Sequence, residues 1–186
     1  TYGKPGNYVA RQLSRWTKQY LASETETIPE MDNLIEWLAN NIPDDDETSI
    51  VHGDYRLDNM IYKNHEVIGV LDWELSTLGH PIADFSYHCL TWRTLPAMSD
   101  LKLIKELGIP SEVEYRDMYS EYTGKDLSKN WEFYMVFNMF KIAAICQGIL
   151  GRVRDGTASS KHAEERGMQV FPISKAAWSI VETNFK

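Results

Sequence analysis

The chain has 186 residues, 43% of them apolar and 12% aromatic, enough for one compact domain with a sizeable core. A formal net charge of −8 and a pI near 5.1 exclude a broad nucleic-acid-binding surface, which needs clustered Lys and Arg, and leave only a local basic site open. Cys89 and Cys146 form no CxxC pair and sit in apolar helical patterns, so reduced, buried thiols of an intracellular protein are expected. The opening TYGKPGNYVARQ lacks the apolar core of a secretory signal, and the longest apolar run is interrupted by Glu132, Asn138, Lys141 and Gln147, so no membrane span is expected. The first residue is Thr1 and not Met, which suggests a piece of something longer.

In chain order, residues 2–6 read as a Gly/Pro linker, and Asn7 as the cap of a helix to about residue 22, with Leu13, Trp16, Tyr20 and Leu21 as its apolar stripe. Pro29 opens a second helix to about residue 41, carrying Met31, Leu34, Ile35, Leu38 and Ile42 at helical spacing, and Pro43 ends it. The acidic run 44–47 reads as a solvated loop and not as a metal site. Three strands are expected at residues 49–52, 59–62 and 67–73, all buried, the last two forming a hairpin across Lys63, Asn64 and His65. Pro81 opens a helix to about residue 92, and Pro96 closes the connection after it. Ser111 with Glu114 is a capping-box pattern for a helix ending at Gly124. Ser128 should cap a long apolar helix to about residue 151, with Trp131, Phe133, Tyr134, Phe137 and Phe140 in the core and Arg152 and Arg154 at its C-terminal end. A polar loop at 155–161 leads to a last helical region that Pro172 should break or kink.

The chemistry concentrates in SIVHGDYRLDNMIYKNHEVIGVLDWELSTLGHPIADFS, residues 49–86. Asp54 and Asn59 are five apart on a loop between two strands, so both can face one ligand while the strands hold them. Asp72 follows the apolar run VIGVL and puts another oxygen at the end of the neighbouring strand. One carboxylate and one carboxamide suit Mg²⁺, which keeps its other positions for water and phosphate. Asp54 would then take the proton of an attacking hydroxyl, a contribution typically worth ~10²- to 10⁴-fold, and Arg56 would neutralise a transferring phosphoryl group. Other readings explain less. Asp54 and Glu74 as paired glycosidase carboxylates leave Asn59, Asp72 and Arg56 without a role. His80, His88 and His162 have no tight ligand spacing with His52, which argues against zinc. His52, next to a strand, reads as a structural hydrogen-bonding residue, and Asp84 as a helix-start carboxylate.

The pattern HGDxxxxN, then LDWE, then GHPxxD resembles the aminoglycoside phosphotransferase and choline kinase family, relatives of protein kinases. More narrowly, WTKQYLASET, VHGDYRLDNMIY and VLDWELSTLGHPIADFSY are similar to the phosphotransferase domain found fused to acyl-CoA dehydrogenases, over the whole chain. The resemblance implies an α+β, mainly helical, protein-kinase-like C-terminal lobe, with a small β-hairpin carrying the catalytic loop. It implies Asp54 as the catalytic aspartate, with Arg56 where protein kinases carry a loop lysine. Asn59 and Asp72 become the Mg²⁺ ligands, and Glu74 lies near the metal or substrate. His52 and Asp84 support the loop. ATP would be the co-substrate, and a small-molecule hydroxyl the acceptor, a hydroxyacyl thioester or hydroxy acid by analogy with the fused branch.

The family's N-terminal lobe has no counterpart in the residues before His52, which read as two helices, and GKPG at 3–6 is too short and wrongly placed to cover phosphates. Residues 1–186 are therefore expected to be a single C-lobe with weak nucleotide binding and little turnover alone. A non-catalytic binding lobe is the alternative. An exposed apolar surface is expected where an N-lobe would dock, and such a patch could drive homo-oligomer formation.

Overall fold

A computed structural model describes residues 2–45, 47–95, 98 and 100–185, and its contacts divide the chain into two compact units. One unit comprises Asn7–Asp46 and Glu132–Lys186. The other comprises Thr1–Gly6 and Glu47–Trp131.

The first of these is helical: α1 (Tyr8–Ser23), α2 (Pro29–Asn40), α7 (Trp131–Arg154, whose first residue belongs to the other unit), α8 (Ala163–Gly167) and α9 (Val170–Asn184). Leu13, Trp16 and Tyr20 of α1 are buried at i, i+3 and i+7, whereas Leu21 is 54% exposed, one residue round the helix from the stripe. Asn7 stands at the N-cap position with φ 52°, and its side chain makes no cap bond; its carbonyl instead receives the Arg11 amide at 3.0 Å. In α2 the proline start is as expected, Glu30 and Asp32 complement the helix dipole in the first turn, and Met31, Leu34 and Leu38 are fully buried. The aromatic residues of α7 are all buried. α7 is long and apolar enough to cross a membrane, but 78% of its most apolar 18-residue stretch is buried within the structure, as in the helix of a protein core.

One helix start departs from expectation, and one helix break is set by a proline. Ser128 does not cap α7: its amide and hydroxyl both turn to the Asp126 carboxylate, and Asn130, with φ 59°, leads into the helix instead. The break expected from Pro172 in the final helical region falls at 168–169, between α8 and α9, and the proline itself is accommodated in α9. It is the third residue of that helix, where backbone amides have no intrahelical acceptor to lose.

The second unit holds β1 (Ser49–Val51), β2 (Met60–Lys63), β3 (Glu66–Val70), β4 (Thr77–Gly79), α3 (Pro81–Cys89), α4 (Thr91–Thr94), α5 (Leu101–Glu106) and α6 (Glu112–Thr123). The strands form two separate antiparallel ladders, β1 with β4 and β2 with β3. The loop from His52 to Asn59 therefore runs from one ladder to the other and is not carried by a hairpin alone. The expected hairpin forms, but its turn is two residues and not three: Asn64 and His65, at φ 51° and 66°, make it, and Lys63 pairs with Glu66 as the last residue of β2. The expectation of three buried strands fails: Val51 is buried, but Ile61, Tyr62, Val67 and Ile68 are 43–57% exposed, because a two-stranded ladder covers neither of its own faces. The second strand is shifted one residue along the chain, since Asn59 belongs to a 3₁₀ turn (Leu57–Asn59), and the third is shorter than expected, since β3 stops at Val70. Neither β4 nor α5 was expected, and the helix from Pro81 is interrupted at Leu90. The expectation for Pro96 lies outside the described residues. The capping box of α6 forms as anticipated, and Gly124 ends that helix at φ 70°.

Candidate active site

The loop after β1 is shaped by backbone constraint before any functional side chain is placed. Gly53 has φ 84°, and a Cβ there would lie 2.7 Å from the Leu75 carbonyl oxygen, so only glycine fits without a shift. Its amide donates to Oδ1 of Asp84 at 2.9 Å, and the preceding His52 amide donates to Oδ2 at 2.7 Å. Asp84 can do this because Pro81 starts α3 just upstream, which sets the carboxylate in the first helical turn. One side chain thus holds two successive peptides of the loop.

The His52 ring ties the loop to β3. Its Nε2 lies 2.8 Å from the Leu71 carbonyl and its Nδ1 accepts the Asp54 amide at 3.3 Å, a pair of contacts satisfied by the Nε2–H tautomer. The Leu71 amide in turn donates to the Asn59 carbonyl at 2.8 Å, so the end of β3 is bonded to both ends of the loop.

These ties converge on Asp54. Asn59 Nδ2 donates to the Asp54 carbonyl at 2.9 Å and to its Oδ2 at 3.1 Å, and Tyr87 donates its hydroxyl to Oδ1 at 2.8 Å. Both carboxylate oxygens are therefore held, while the side chain stays only half-buried. Tyr87 is pushed well above the usual tyrosine range, by burial first and then by the hydrogen bond and charge of Asp54, with Arg56 opposing. It remains a donor across the neutral range.

Asp72 directly follows Leu71 and adopts φ 62°, ψ 55°, a left-handed conformation that costs an ordinary residue about 1–3 kcal/mol and is often found at ligand sites. Its exposed carboxylate has no hydrogen-bond or ion-pair partner among the described residues. With its Nδ2 spent on Asp54, Asn59 keeps Oδ1 as an acceptor. A carboxylate and an amide oxygen, both hard and both at the base of the β2–β3 hairpin, fit Mg²⁺ that carries water and phosphate in its other positions. Among the described residues no group of three or more His, Cys, Asp and Glu side chains is placed to hold a metal ion.

Of the two remaining expected site residues, only Glu74 stands apart. Arg56 is 52% exposed and forms an ion pair through Nε and Nη2 with Asp58, while its charge also bears on Asp54 and on the Tyr87 hydroxyl. Glu74, on the 3₁₀ turn Trp73–Leu75, is exposed and, among the described residues, forms no hydrogen bond with Asp54, Asn59 or Asp72. Tyr87 is the residue that sequence reasoning missed, although it sits three residues after Asp84, the spacing that puts both on one face of α3.

Behind the loop lies a cavity of about 360 Å³ lined by Ile50, Tyr55, Trp73, Phe85, Tyr115 and Tyr119. Trp73 packs on the His52 ring with centroids 4.8 Å apart. His88 is lodged between the Tyr55 carbonyl and the Tyr115 hydroxyl, both at 3.3 Å, and burial lowers its pKa. The cavity's carboxylate, Asp84, is engaged with the two loop amides.

A mainly helical unit with small ladders, a clamped loop aspartate and a second acid at the next strand end defines an aminoglycoside phosphotransferase-like fold. The crystal structure of a candidate aminoglycoside phosphotransferase from Ralstonia eutropha JMP134 superposes on it with a TM-score of 0.92 at 51% identity, covering 97% of this chain and 57% of that one. The chain belongs to the phosphotransferase enzyme family, whose family model matches residues 1–119. It is similar to acyl-CoA dehydrogenase family member 10 of Mus musculus, with 44% identity over 185 residues, 96% of this chain and 17% of that protein. It is also similar to acyl-CoA dehydrogenase family member 11 of Homo sapiens, with 38% identity over 191 residues, 99% of this chain and 24% of that protein. The chain thus spans a quarter or less of the length of these relatives.

Proposed function

We propose that this chain is the C-lobe of an ATP- and Mg²⁺-dependent phosphotransferase that moves the γ-phosphoryl group of ATP to the hydroxyl of a small molecule. The observation that carries the proposal is Asp54, held through both carboxylate oxygens by Tyr87 and Asn59 on a loop clamped by Asp84. In the reaction the acceptor oxygen bonds to the γ-phosphorus, the bond from that phosphorus to the bridging oxygen breaks, and ADP leaves. Asp54 takes the acceptor proton. Asn59 and Asp72 would hold Mg²⁺, with Glu74 on the following turn facing the metal-bound nucleotide; the ion, when bound, offsets the phosphate charge. Arg56 would turn from Asp58 to the transferring group, and leaving an exposed ion pair of this kind costs only about 0–1 kcal/mol. His52 and Asp84 hold the loop and touch no substrate.

The names of the relatives suggest an acceptor of the kind such enzymes handle, a hydroxyacyl thioester or the corresponding hydroxy acid, and a fused acyl-CoA dehydrogenase domain in the whole protein. The chain spans 57% of the Ralstonia structure, so the groups that grip the triphosphate from the other side are proposed to lie in a further lobe. A non-catalytic binding lobe is the second reading, favoured by the engagement of Arg56 with Asp58.

The test uses a longer protein that includes that lobe, assayed with Mg²⁺-ATP on a panel of hydroxylated acceptors. Turnover that falls at least about 100-fold in Asp54→Asn is the expected result. Neither nucleotide binding nor product from any acceptor would sink the kinase reading. Calorimetry on this chain alone should show weak Mg²⁺-ATP binding.

A further inference from the structure

The two oxygens of Asp54 are held by donors from different elements, and only one of the two belongs to the loop itself. Asn59 holds Oδ2 from within it; Tyr87 holds Oδ1 from α3. The second dihedral of an aspartate is broad and two-fold, so a single donor leaves the carboxylate plane free to swing. Donors on both oxygens fix that plane. The same face of α3 supplies Asp84, one turn earlier, which fixes the loop's backbone through the amides of His52 and Gly53. One helix therefore sets both the position of the loop and the orientation of its carboxylate.

We propose that Tyr87 is a positioning residue for phosphoryl transfer, its hydroxyl holding Oδ1 of Asp54 so that the carboxylate faces the acceptor in one orientation. The proposal rests on the kinase reading above and assigns a role to a residue outside the sequence motif. Burial and the adjacent carboxylate keep the tyrosine protonated, so the donor persists at any pH at which the enzyme would work. The ring and the hydroxyl have separable duties: the ring fills space on α3, and only the hydroxyl reaches Asp54. Tyr87→Phe removes the second and keeps the first.

Two measurements test this. The first is a thermal double-mutant cycle in this chain with Tyr87→Phe, Asp54→Ala and the double variant, which needs no activity. Tyr87→Phe should lower Tm by about 2–4 °C in the unmodified background and by almost nothing once Asp54 is Ala. Equal losses in both backgrounds overturn the contact. The second is steady-state kinetics in the longer protein, where Tyr87→Phe should cut kcat about tenfold and leave KM for Mg²⁺-ATP within about twofold, because orientation of the base and not nucleotide grip is lost. An unchanged kcat, or a matching rise in KM with kcat intact, overturns the positioning role. If the unmutated longer protein is itself inert, the kinase reading fails and the catalytic role falls with it; that outcome is recognisable because the loss precedes any substitution.

Discussion

Gly53 shows how much of this site is decided by a hydrogen atom. Its φ of 84° and the Leu75 carbonyl 2.7 Å from a would-be Cβ oppose any larger residue, and the two effects fall on the peptide whose amide Asp84 holds. Gly53→Ala is expected to destabilise the chain by about 1–3 kcal/mol, read as a fall in the denaturation midpoint without a change in slope. A neutral substitution would mean the loop can relax away from Leu75. At this scale the sequence was informative for His52, Asp54, Asn59, Asp72 and Asp84, because their residue types sit at strand and helix ends where the chain must place them. It was silent on Tyr87, since a tyrosine on an apolar helix reads as core until its hydroxyl is seen on Asp54. It also gave no warning that Arg56 would meet Asp58, because an i, i+2 pair has no regular geometry outside a strand or helix.

Among the elements of the second unit, one carboxylate at the start of α6, Glu112, ties together Arg93 of α4 and Trp131. Arg93 donates to both oxygens of Glu112, at 2.8 and 2.7 Å, and Trp131 Nε1 donates to Oε1 at 2.8 Å. Burial pushes the Glu112 carboxyl up, but the Arg93 hydrogen bond and charge, Trp131 and Arg116 together hold it below the ordinary glutamate value of 4.5. A depressed carboxyl stabilises the fold fully above its unfolded value, and that contribution is lost as pH falls through the lower folded value. Denaturation midpoints should therefore decline as pH drops below 4.5, and less steeply in Glu112→Gln. Parallel pH profiles for the two proteins would remove this pair from the account. The capping box of α6 was legible because both of its bonds are local. The strand β4 was not: three residues, Thr77–Gly79, carry no alternation, and their partner β1 lies far back in the sequence. Burial of the hairpin was misjudged because Val and Ile favour strands on either an open or a covered face.

Over the whole molecule, Ile61, Tyr62, Val67 and Ile68 of the hairpin, with Leu57, Leu71, Trp73 and Leu75 nearby in sequence, are 43–61% exposed. Large apolar surfaces left open on a chain are association sites. This chain alone is expected to self-associate, and Ile68→Lys, on an outward position of β3, is expected to restore the monomer. Light scattering at concentrations well above micromolar decides it; a monomeric unmodified chain would count against the idea. The motif order His52, Asp54, Asn59, Asp72, Asp84 was enough to place the chain among phosphotransferases. The division into two compact units was not legible: the Gly/Pro stretch 2–6 and the acidic run 44–47 lie at two of its boundaries, but no composition marks the third, at Trp131, and each unit is assembled from separated segments.

The grip of Asp84 on the loop is indifferent to the side chains it steadies. It takes only the peptide hydrogens of residues 52 and 53, so the clamp alone would tolerate nineteen of the twenty amino acids at either position and rejects proline, which has no hydrogen to give. What narrows the choice there comes from elsewhere: the ring nitrogens that reach Leu71 and Asp54 at position 52, and the carbonyl of Leu75 at position 53.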